Sequence, residues 1–144
     1  MFQLHPQLAK DCRDLGRLGL CRLLLMDDAN FPWFILVPER DGVSEIHALD
    51  DADRARLWDE SALLARALVK GFAPDKLNIA ALGNVVPQLH VHHIVRYKHD
   101  AAWPAPVWGK LPPRPYYAAE AGKLQALMRS LLGAALQEGW TPHG

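Results

Sequence analysis

The stretch that most restricts how this chain can fold runs from Asn78 to Arg96, where Gln88, His90 and His92 alternate with the apolar Leu89 and Val91. Alternation of period two marks a half-buried β-strand, because successive side chains leave a strand on opposite faces. The three polar residues therefore share one face, with next-but-one neighbours roughly 6.5–7 Å apart. One histidine in such a place is usually just a solvated strand face. Two imidazoles on one rigid element, following a loop with Gly83 and Asn84, make a candidate site.

A chain of 144 residues is read as a single domain, 1–144, with room for a real core. Half of its residues are hydrophobic and its formal net charge is zero, which points to a soluble globular protein. No Lys/Arg stripe marks a nucleic-acid polymer as partner. Cys12 and Cys21 are too few for a disulfide scaffold or zinc cluster and read as small apolar groups in a reducing compartment. With no signal-peptide pattern and no apolar run approaching ~18 residues, no membrane association is expected and the default address is the cytoplasm.

Taken in order, His5 to Leu15 is read as a short helix and Leu20 to Met26 as a buried strand. Asp27 to Pro32 is a turn by composition, and Trp33 to Val37 returns as the second arm of a hairpin. Glu45-Ile46-His47 is read as a short third strand. An aspartate among Asp50, Asp51 and Asp53 caps a helix running to about Lys70, with Gly71 as its stop signal. Leu77 to Leu82 is a strand, and Gly83 to Pro87 is a tight loop into the histidine strand. This order predicts an α+β fold with an antiparallel sheet. Residues 103–115 hold five prolines and two tryptophans, too many breakers for regular structure, and predict a stiff extended segment packed onto something. Ala118 to Gln137 is a helix with one apolar stripe through Leu124, Leu127, Met128, Leu131, Leu132, Ala135 and Leu136, ended by Gly139 and Pro142. The stripe reads as core or dimer contact.

A neutral imidazole is a competent nucleophile near pH 7. One ring nitrogen can attack phosphorus while the other gives its proton to a fixed acceptor, forming a phosphoramidate that water later resolves. A second histidine on the same face can stabilise phosphoryl charge or assist proton transfer. Gly83, Asn84 and Val85 can offer backbone N–H groups, and Asn84 its amide, to phosphate oxygens. The same pair admits a metal, but zinc needs a further protein ligand, and His99 is the nearest candidate outside the run. His93 points to the opposite face, and no Asp or Glu lies in the strand. Neither a metal nor another cofactor is expected.

The run Gln88-Leu-His90-Val-His92-His93-Ile94 resembles the signature of the histidine triad (HIT) family, His-φ-His-φ-His-φ-φ with φ apolar. Leu77 to Pro87 resembles the strand and loop of small bacterial members, often labelled diadenosine tetraphosphate hydrolase-like. Phe34-Ile35-Leu36-Val37-Pro38 stands where the family has an apolar run ending in proline. The resemblance covers about residues 18–98, leaving 103–115 and a helix over 118–138 as an extension.

The resemblance implies a HIT-like fold: an antiparallel sheet of about five strands with helices packed on it, plus the C-terminal helix. It implies that His90 is the nucleophile on the α-phosphate of a nucleotide and that His92 contacts phosphate and helps the leaving group. Gly83, Asn84 and Val85 would bind phosphate, and Asp27 or Asp28 would hold the ribose hydroxyls, though both also suit an ordinary turn. It further implies a nucleotide as small-molecule partner and a homodimer. Three departures stand out. Gln88 replaces the first histidine and is read as a supporting residue, Val85 stands where many members have Ser or Thr, and His93 replaces an apolar residue and is expected at a solvated or interface position. Trp103 and Trp108 are either packing residues or a base-stacking lid.

Overall fold

The computed structural model describes residues 1–138. Its strands are β1 (Cys12–Arg17), β2 (Cys21–Met26), β3 (Trp33–Pro38), β4 (Lys76–Ala80) and β5 (Val91–Arg96). The helices are α1 (Pro6–Asp11), α2 (Asp51–Phe72) and α3 (Ala118–Leu132). The strands form one antiparallel sheet in the order β1-β2-β3-β5-β4. A chain with hairpin and helix connections and a wholly antiparallel sheet is the expected α+β class.

Both faces of the sheet are covered, so β3 and β5 are buried from end to end. On one face Leu23, Leu25, Phe34, Val91 and Val95 pack against Leu57, Leu64 and Leu68 of α2 and Met128 and Leu132 of α3. On the other, Leu24, Trp33, Ile35 and Ile94 pack against Leu8 of α1, Val86 of the β4–β5 loop, and Ala102 and Val107 of the proline-rich segment. That second layer is made of loops and one short helix, and the candidate site lies in it.

Several local expectations give way to tertiary pairing. The helix expected over His5 to Leu15 stops at Asp11, because from Cys12 onward the backbone pairs with β2, Cys12 opposite Met26 and Arg13 opposite Leu25. Glu45-Ile46-His47 is no strand; Ile46–Ala48 forms a single 3-10 turn. Asp50 caps α2, accepting from the Asp53 N–H, while Gly71 lies inside that helix. A Cβ on Gly71 would come within 2.6 Å of Leu131 Cδ1, so this glycine lets α2 and α3 approach rather than ending α2. The C-terminal helix ends at Leu132, five residues short of the expected end, where Gly133 turns the chain at φ 55 into a 3-10 turn. Gln137 then pairs with Arg17 at the edge of β1. Met128, Leu132 and Leu136 of the stripe are core; Gly139 and Pro142 lie outside the described residues.

Candidate active site

Regular β5 begins at Val91, so Gln88 and His90 sit in its extended lead-in rather than in the strand. The preceding loop turns at Gly83, whose φ of 77 a side chain would resist. His90 and His92 come out on the face away from α2 and α3. Their ring centroids are 4.9 Å apart in an edge-on arrangement, and they are only 7% and 4% exposed.

Their partners assign opposite tautomers. His90 Nδ1 is 2.7 Å from the Gln88 carbonyl oxygen, which can only accept. Nδ1 therefore carries the proton and Nε2 keeps the lone pair. His92 Nδ1 lies 2.9 Å from the Trp33 indole Nε1–H, which can only donate. Here Nδ1 accepts and the proton is on Nε2. Burial, reinforced by the proximity of His90 and His93, pushes the His92 imidazole down to about 3, so it is neutral at pH 7. Two histidines two residues apart are thus set up as one lone pair and one N–H donor.

A cavity of about 430 Å³ is lined by Gly83, Asn84, Val85, His90, His92 and Trp108, with Gln7, Leu8 and Asp11 of α1 opposite. A second, of about 400 Å³, is lined by Asp27, Asp28, Trp33 and Trp108. Asp11, Met26 and Trp108 border both, so the two cavities adjoin. Each is of the size small-ligand sites have.

The predicted residues therefore divide. Gly83, Asn84 and Val85 gather around the two histidines, with the Val85 side chain turned outward at 87% exposure. Asp27 and Asp28 face the adjoining chamber. Asp27 Oδ1 accepts from Arg13 Nε and the Tyr116 N–H. Asp28 Oδ1 accepts from the Asn30 N–H and side-chain amide and from the Arg114 N–H, so its first task is to hold a turn and tether the extension. Gln88 lines neither chamber. Its Oε1 accepts from the His5 N–H and its Nε2 donates to the Gln3 carbonyl, clamping the N-terminal arm that leads into α1.

His93 corrects the expectation of a solvated or interface position. It is fully buried beneath α2, with Nδ1 3.1 Å from the Val91 carbonyl and Nε2 2.7 Å from Ser61 Oγ. Burial pushes its pKa down to about 4.

Trp33, which reaches His92 across the β3–β5 pair, is the site residue that escapes sequence reasoning; Trp108, which the sequence offers as a packing residue or a lid, stands edge-on to His92 at 5.1 Å. Trp103 is different. Its ring and that of Phe31 flank the buried Arg96 guanidinium at 5.7 and 5.8 Å. Arg96 also binds Asn78 Oδ1, the Ala105 carbonyl and both oxygens of Asp100. Burial opposes the charge on Asp100, yet Arg96 and the N–H groups of Tyr97, Ala102 and Trp103 hold its carboxyl down to about 2. Among the described residues no three His, Cys, Asp or Glu side chains form a group that could hold a metal ion.

The HIT domain matches residues 7–99 of this chain. A histidine triad protein from Marinobacter aquaeolei VT8 has a similar structure, with a TM-score of 0.90 and 51% identity over 92% of this chain and 96% of that one. One from Bradyrhizobium japonicum gives 0.89 and 46% over 91% and 98%. A third, from Sinorhizobium meliloti 1021, gives 0.90 and 42% over 92% and 98%. No curated protein matches the chain. The sheet, the paired imidazoles and these likenesses define a nucleotide-binding class of protein. The chain belongs to the histidine triad family, whose members bind nucleotides and work as hydrolases or transferases.

Proposed function

We propose that this protein cleaves a bond next to a nucleoside α-phosphate, in a dinucleoside polyphosphate or a nucleoside phosphoramidate, through a covalent nucleotidyl-His90 intermediate. The observation that carries this reading is the pair of opposed tautomers. His90 offers an Nε2 lone pair, with its other nitrogen bonded to the Gln88 carbonyl, beside a neutral His92 that offers an N–H. Nucleophile, donor and the N–H groups of the Gly83–Val85 loop border one chamber, where a phosphate held by the loop lies within their reach. Asp27 is the better ribose ligand of the two aspartates. Asp27 is half-buried whereas Asp28 is buried and uses its Oδ1 to hold the turn and the Arg114 N–H, although the Oδ2 of each carries no hydrogen bond among the described residues. The reading includes a cytoplasmic homodimer, and light scattering of the purified chain tests the dimer.

The direct test is release of nucleoside monophosphate from diadenosine polyphosphates and adenosine phosphoramidates, run on wild type and His90→Ala together. Full activity without His90 removes the mechanism.

A further inference from the structure

Trp33 opens β3 opposite Ile94, two residues beyond His92 and on the same sheet face. Its indole reaches diagonally to His92 Nδ1, and both residues are almost wholly buried. Trp108 closes the other side, edge-on to both rings at 5.1 and 5.8 Å. The indole nitrogen has only a hydrogen to offer. A His92 protonated on Nδ1, as the other tautomer or as the imidazolium, would set N–H against N–H in a place water scarcely reaches.

We propose that Trp33 is a positioning residue that holds His92 as a neutral Nε2–H donor, so that the site suits leaving groups that depart as anions, those of phosphoanhydrides and acyl phosphates, rather than the amine of a phosphoramidate. The proposal rests on nucleotidyl transfer to His90 and decides between the two substrate classes left open by it.

The proton count leads to that choice. The His90 Nε2 lone pair forms the N–P bond, the P–O bond to the leaving group breaks, and its electron pair departs on oxygen. His92 Nε2–H hydrogen-bonds to the growing charge, and no proton is transferred. Water then attacks phosphorus, the N–P electron pair returns to His90 Nε2, and the proton from water goes to solvent. A leaving nitrogen, by contrast, must gain a proton. A neutral His92 that surrendered its only N–H proton would become an imidazolate, too basic to persist at neutral pH. The His90 Nδ1 proton is engaged by Gln88. Asp11, on the same chamber, is an acceptor held by Gln7, and Lys10 lines the neighbouring chamber instead.

The test uses a series of adenosine 5′-phosphate aryl esters with phenols of graded acidity, alongside adenosine phosphoramidates and diadenosine polyphosphates, in single-turnover reactions. We expect the nucleotidylation rate to fall steeply with rising phenol pKa, approaching tenfold per unit, and the amidates to lag by about 10²-fold or more, the usual worth of a missing general acid. In parallel, 15N spectra of ring-labelled wild type at pH 7 should show His92 Nδ1 bare and Nε2 protonated. Trp33→Phe, which keeps an aromatic ring without the N–H, should mix the tautomers and lower kcat on the anhydrides by about 10–10²-fold with little change in KM. A flat dependence on phenol acidity, amidates cleaved as fast as anhydrides, or a His92 protonated on Nδ1 in wild type overturns the proposal. If Trp33→Phe does not fold, the wild-type spectra and rate series still decide. Turnover of none of these substrates defeats nucleotidyl transfer and the leaving-group class with it, while the spectra still judge the role of Trp33.

Discussion

His92 and His93 share a peptide bond, a strand and near-complete burial, and differ in what their rings can do. His92 faces the loop layer, where a donor-only partner and an open chamber leave its Nε2–H available to a ligand. His93 faces the helix layer, where the Val91 carbonyl and Ser61 use both ring nitrogens and nothing remains to offer. Neighbouring imidazoles with depressed pKa values thus have separate meanings. On one face the neutral ring borders a chamber with one nitrogen left over, and on the other it is a structural hydrogen-bonding group with both nitrogens used.

The sharpest way to break this contrast is to disable each face separately. His90→Ala should reduce nucleotide turnover by a factor on the order of 10⁴–10⁶, as loss of a covalent nucleophile does, while thermal unfolding shifts by only a few degrees. His93→Ala should do the reverse. Removing a buried ring and leaving Ser61 unpaired should cost roughly 3 kcal/mol, read as a lower urea midpoint, with turnover per folded molecule kept. If His93→Ala lowers kcat at full stability, the two faces are not separate.

Acid should act through the same pair. Each ring is pushed below the ordinary value of 6.5, to about 3 for His92 and about 4 for His93. Between those values and 6.5 the unfolded chain binds more protons than the folded one, so stability is full above pH 6.5 and drains away as pH falls. For His93 alone the loss should reach roughly 3 kcal/mol by pH 4. Urea titrations at pH 7, 6, 5 and 4 should show this slope, and His93→Asn should remove about half of it, leaving the share of His92. Ser61→Ala should cost about 1–2 kcal/mol by stranding a buried acceptor. Smallest of all, Gln88→Ala should cost about 1 kcal/mol and show itself as faster amide exchange in residues 3–8, because its amide clamps that arm.

What was legible in the chain follows the range of the forces involved. The hairpin of β2 and β3, the long helix and the histidine strand are written in local periodicity, and that pattern assigned His92 and His93 to opposite faces correctly. It could not say what covers each face. Ser61 stands 32 residues before His93, and Trp33 meets His92 only through the register of β3 on β5. Cys12 to Leu15 reads as the end of a helix because the extended form of β1 comes from pairing with β2, not from any alternation of its own. Alternation places Gln88 on the histidine face only by carrying the strand three residues before Val91. The backbone before Val91 leaves its amide free to reach residues 3 and 5 instead.

The Arg96 cluster has a bearing on modularity. The segment that carries Trp108 to the cleft is bolted by Asp100 and Ala105 to the strand that holds His92, and Phe31 and Asn78 complete the socket. Replacing residues 98–115 by a loop that lacks the carboxylate of Asp100 would therefore leave a buried guanidinium without its counter-charge. A graft of that segment should therefore carry β5, Asn78 and Phe31 with it, because the wall of the cleft and the strand beneath it meet in one socket.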